Sequence, residues 1–172
     1  MNDMSAPIVA VQEIAGFPAS FTMNDAHILR SKIIGKCADV ECWLVDRIQP
    51  YQTPSPSFSV KVKQFEEILA KHKEAFNNPT KIQSYLKEFQ PFAIFRSELA
   101  HAKLSLIETA GNISLIAIQN AAWGSNVRTA KSIVLSSEEL ERIWNETHVA
   151  AQKITNYTTT LATTVTPAKA GA

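Results

Sequence analysis

Arg96 and His101, in the segment Phe95-Arg96-Ser97-Glu98-Leu99-Ala100-His101, are the pair whose types and spacing best suit a reaction. Arginine offers a planar fork of donors matched to a phosphate and stays charged at any relevant pH. Histidine titrates near neutrality and can accept or release a proton. Such groups can cleave RNA without a metal. One imidazole would take the proton from a ribose 2′-OH, which then attacks the adjacent phosphorus. A second would protonate the departing 5′-oxygen, while arginine holds the phosphate and offsets the charge gathering on its oxygens. DNA lacks the 2′-OH and would be spared. Taken singly, the same residues have plainer roles: Arg96 as a solvated or salt-bridged helix residue, His101 as a helix-end cap, Ser97 as an exposed helix position. Glu98, one turn from His101, either orients it or is solvated.

Other chemistries find little support. The sequence has no Walker loop, GxGxxG, GxSxG or HExxH, so no cofactor is expected. His27, His72, His101 and His148 are not spaced as ligands on one helix face, and Cys37 and Cys42 have no CxxC partner, so no metal is expected either. So few cysteines point to a reducing, cytoplasmic compartment. The 172 residues carry 17 Lys+Arg against 16 Asp+Glu, a formal net charge of +1, which gives no strong footprint for duplex DNA or an anionic membrane. A local basic cleft stays compatible with that balance. No run reaches the roughly 18 uncharged apolar residues of a membrane span. Asp3 and Glu13 frame the apolar start, which reads as mature sequence rather than a secretory signal.

The elements that must position the pair are mainly helical. Residues 1–20, with Pro7, Gly16 and Pro18, read as an extended arm or short strand. Asn24 or Asp25 can cap a first helix over 25–48, with Ile28, Ile34, Cys37, Val40, Trp43, Leu44 and Ile48 on its apolar stripe and Gly35 as its weak point. Pro50, Pro54 and Pro56 make 49–57 a loop. Phe58, Val62, Phe65, Ile68, Leu69 and Phe76 define a second helix, with Lys61, Lys63, Lys71 and Lys73 outward. Asn78 and Pro79 start a third, on Ile82, Tyr85, Leu86 and Phe89. Pro91 breaks or kinks it and can open a fourth, which carries Phe92, Phe95 and Leu99 inward. The period then changes from helical to alternating, and Gly111 suits a tight turn, so a β-hairpin is expected at 103–118. Residues 119–135 read as a loop or ragged strand. Ser136 and Glu139 have capping-box spacing and open a last helix on Leu140, Ile143, Trp144, Thr147, Ala151 and Ile154. Trp43 and Trp144 read as core. Trp123, near Gly124 and Arg128, could stack a base or anchor its loop. Arg30 and Arg47 could line a cleft or face solvent. The fold class is all-α, a helical bundle of four to five helices with one small β-hairpin inserted before the last helix.

The segment Arg96-Ser97-Glu98-Leu99-Ala100-His101 resembles the R-N-x-L-A-H signature of the HEPN superfamily, helical domains found in many toxin and abortive-infection ribonucleases. Leu-Ala-His stands intact and lies on a late helix, as in that family. Ser97 replaces the usual Asn, Asp or His. Lys103 stands where adenylylated members carry Tyr. The resemblance implies a HEPN-like domain over 21–160, while composition makes 1–20 an arm and the Thr/Ala-rich end, with Pro167 and Gly171, a flexible tail over 161–172. It implies a metal-independent endoribonuclease with Arg96 and His101 catalytic, Ser97 and Glu98 supporting, and RNA as substrate. It further implies a homodimer that unites both motifs in one cleft. That pairing would answer a geometric difficulty, since residues five apart on a straight helix point about 140° apart. A role in phage defence, or an antitoxin protein as partner, would follow. The alternative is a catalytically inactive helical binding or interaction module.

Overall fold

Thr22 begins the first helix. In the computed structural model, which describes residues 21–109, 114–120 and 131–157, α1 spans Met23–Ile48. Thr22 Oγ1 accepts from the Asp25 amide at 3.2 Å, and Asp25 Oδ2 accepts from the Thr22 amide at 2.8 Å. The cap is thus Thr22, not Asn24 or Asp25, because only Thr22 has an acidic partner three residues on to close the reciprocal pair. Hydrogen bonds from the Thr22 side chain and backbone hold the Asp25 carboxyl below its ordinary value. Ala26, Leu29, Ile33, Cys37, Val40, Leu44 and Ile48 are buried at steps of three or four. Ile28 falls off that stripe and is 43% exposed, against its expected inward place.

Helix α2 spans Phe58–Lys71 and buries Phe65, Ile68 and Leu69. Lys61 is buried with them rather than outward. It stands four residues before Phe65, so the helical period carries it inward whatever its charge. A short 3₁₀ turn at Lys73–Ala75 leads to α3, Pro79–His101. Asn78 Oδ1 accepts from the Lys81 amide at 3.1 Å, with Pro79 at the first helical position. Pro91 does not divide α3: the expected third and fourth helices are one. Pro91 and Lys87 are both exposed, so the Lys87 carbonyl that loses its amide partner can turn to water.

The expected hairpin is present, and a third strand extends it. β1 (Lys103–Glu108) pairs antiparallel with β2 (Ser114–Asn120), from Lys103 opposite Gln119 to Glu108 opposite Ser114. β3 (Lys131–Ser136), within the expected loop or ragged strand, pairs antiparallel with β2 in the order β1-β2-β3. It is short, so its alternation of Ile133 and Leu135 with Ser132 and Val134 is a weak signal on its own. Gly111, Trp123, the 1–20 arm and the 161–172 tail lie outside the described residues. α4 spans Ser137–Thr155 and starts at the Ser136–Glu139 capping box.

The four helices and the sheet share two buried clusters. One joins Val40, Trp43 and Leu44 of α1 to Phe65 of α2, Phe89 of α3 and Ala150, Ala151 and Ile154 of α4. The other joins Ala26, Leu29 and Ile33 of α1 to Leu99 of α3, Leu104, Ile116 and Ile118 of the sheet and Leu140 of α4. N-terminal halves of α1 and α4 meet in one cluster and C-terminal halves in the other, so these helices run parallel. α3 runs antiparallel to α1: Arg30 reaches Ala100 while Cys37 reaches Phe92. The sheet therefore packs at the end of the bundle where α3 finishes.

Candidate functional site at the end of α3

Phe92, Arg96 and Ala100 follow one another at four-residue spacing, and this row of α3 faces α1. Cys37 Sγ donates to the Phe92 carbonyl at 3.7 Å, and Arg30 Nη2 donates to the Ala100 carbonyl at 3.0 Å. Arg30 therefore caps the last turn of α3, where carbonyls lack amide partners. Arg96 lies between these two contacts, half-buried. Its Nε is buried without an acceptor, and Arg96 makes no hydrogen bond or ion pair among the described residues.

Arg96 does act on its neighbour. Burial pushes the Cys37 thiol up to about 12 from an ordinary 9.0, while the Arg96 guanidinium pulls the other way and Glu41 adds to the rise. Cys37 is 1% exposed, and burial wins. Glu41 stands one turn along α1 from Cys37. Its Oε2 lies 3.6 Å from Lys61 Nζ, and the same ammonium donates to the Pro56 carbonyl at 3.5 Å. Arg96, Cys37, Glu41 and Lys61 thus form a polar row crossing from α3 over α1 to α2.

His101 is the last residue of α3 and is exposed, as is Ser97 one turn earlier on the same face. Arg96 instead faces α1, so one chain does not set Arg96 and His101 on a common face. Glu98 Oε2 accepts from Asn120 Nδ2 at 2.5 Å, which ties α3 to the end of β2. Asn120 Oδ1 is buried without a partner. Glu98 is accordingly a tie to the sheet.

The roles of three contributors escaped the reading of the sequence. Lys61 was legible in its period, but lysine chemistry argued the other way. Arg30 was named only as a possible cleft residue and Asn120 not at all, because their partners at Ala100 and Glu98 lie 70 and 22 residues away. An open cavity of about 170 Å³, lined by Tyr51, Gln52, Glu67, Ile68, Lys71 and His72, sits at the opposite end of α1 from His101. Among the described residues, no three His, Cys, Asp or Glu side chains are grouped to hold a metal ion, and no helix is long and apolar enough to cross a membrane. No family model, curated protein or solved structure matches this chain.

Proposed function

We propose that the chain is a HEPN-like, metal-independent endoribonuclease that works as a homodimer, with Arg96 and His101 catalytic. The observation that carries this reading is Arg96. A half-buried guanidinium with no acceptor among the described residues keeps its charge and its donors for a ligand anion, and the phosphodiester of RNA fits that need. His101, exposed five residues on, would move the proton. Two chains would supply two imidazoles, one to deprotonate the 2′-OH and one to protonate the leaving oxygen. Ser97 shares the exposed face of His101, and Glu98 fixes the helix end to the sheet. A toxin or phage-defence role, with an antitoxin as partner, follows from the same resemblance.

Purified protein should cut single-stranded RNA in EDTA and leave a 2′,3′-cyclic phosphate. Arg96→Ala should lower the rate by about 10²–10³, the cost of losing one oxyanion donor. His101→Ala should lower it at least as far, since acid and base vanish from both chains. Cleavage of RNA carrying 2′-O-methyl at every ribose, or full activity in His101→Ala, would rule the mechanism out.

The second reading, a binding module, is favoured by the different faces of α3 that Arg96 and His101 occupy. RNA or protein binding without cleavage, unchanged in His101→Ala, would establish it.

A further inference from the structure

Lysine is seldom buried without a partner. Lys61 is 6% exposed, and its ammonium has the Glu41 carboxylate at 3.6 Å and one carbonyl at 3.5 Å. Glu41 is itself shielded on that side and stands one turn from Cys37, whose thiol bonds to α3 one turn before Arg96. Long side chains on a helix lean toward its N-terminus. On α3 that lean carries the Arg96 guanidinium toward Phe92 and hence toward Cys37 and Glu41. Glu41 holds the cation of α2 as an ion pair, and both its carboxylate and the Arg96 guanidinium of α3 act on the Cys37 thiol. Arg96 itself makes no hydrogen bond among the described residues, so its donors stay uncommitted there.

We propose that Glu41, braced by the buried ammonium of Lys61, is a positioning residue that aims the Arg96 guanidinium at the phosphate of RNA. This rests on the ribonuclease reading for its ligand, though not for its geometry. The row couples α2, which carries none of the motif, to the end of α3.

The test compares wild type, Lys61→Met, Glu41→Gln and the double variant. Lys61→Met alone leaves a shielded carboxylate unpaired and should lower Tm. Glu41→Gln alone strands the ammonium and should do the same. The double variant removes both charges at similar volume and should recover most of the Tm. If the pair only stabilises the bundle, the double variant also recovers RNA cleavage. If it aims Arg96, cleavage stays at least tenfold down. A second readout needs no activity: exchange of the Arg96 Nε–H in ¹⁵N-labelled protein should be slow in wild type and faster in the double variant. Unchanged exchange with wild-type Tm would overturn the proposal. If wild type cuts no RNA, the ribonuclease reading falls, and the exchange measurement alone decides whether Glu41 holds Arg96.

Discussion

A thiol beside a guanidinium would ordinarily be acidified, yet Cys37 is pushed the other way because its surroundings solvate a thiolate so poorly. Cys37 should therefore be inert in the folded protein, whereas exposed Cys42 should react at once with a disulfide reagent. One equivalent of thiol before denaturant and two after would bear this out. The raised value also fixes a pH dependence. The folded thiol keeps its proton to about 12, the unfolded one loses it near 9.0, so the stability contribution is whole below 9.0 and shrinks as pH rises toward 12. The loss is at most about 1.4 kcal/mol per pH unit. Denaturant midpoints of wild type should thus fall more steeply than those of Cys37→Ala in that range, and parallel slopes would contradict it. Residues differ in how well they announce such roles. Ser136 and Glu139, or Asn78 and Pro79, act on their own neighbours, so their spacing suffices. Arg96 could be named from its motif, but its exposure, its neighbouring thiol and its lack of an acceptor among the described residues depend on what α1 brings against it.

Helices here obey period before composition, and two of the departures from expectation follow from that rule. Lys61 goes inward with Phe65, and Pro91 stays within α3 because it falls on the exposed side. Gly35 shows the same rule as an opportunity. It is an exposed position in α1, and a Cβ added there meets nothing within 4 Å. Glycine inside a helix costs roughly 0.5–1 kcal/mol against alanine. Gly35→Ala should accordingly stabilise the protein by about that amount, seen as a higher denaturant midpoint at unchanged slope; a lower midpoint would show a crowding that the structure lacks. Strand β3 was harder to read, since six residues alternate too briefly to tell a strand from a loop until β2 offers them a partner.

At the scale of the molecule, both buried clusters lie within one chain, while the proposed reaction needs two imidazoles. A near-neutral chain of formal charge +1 does not repel its own copy. Sedimentation at micromolar concentration should give a symmetric dimer with the Arg96–His101 segment at or beside the interface. A monomer, or a dimer with His101 on its outer face, would leave the acid–base pair incomplete and count against cleavage. The mostly helical class with a small sheet before the last helix was legible because each element carries its own period. The parallel partnership of α1 with α4 was not, since no local pattern reports which distant stripes will meet.

That partnership orders events during synthesis. α1 emerges first, but the face it presents to α4 has no cover until Ser137–Thr155 has been made. At roughly 5–20 residues per second, the nearly ninety residues between the end of α1 and the start of α4 take on the order of 5–20 s to translate. Throughout that interval the ribosome carries a half-covered apolar helix, the kind of surface that chaperones hold. Closure of the bundle is thus a late, long-range step rather than a local one. The end of α3 that bears Arg96 and His101 takes its final seat only after the last helix docks.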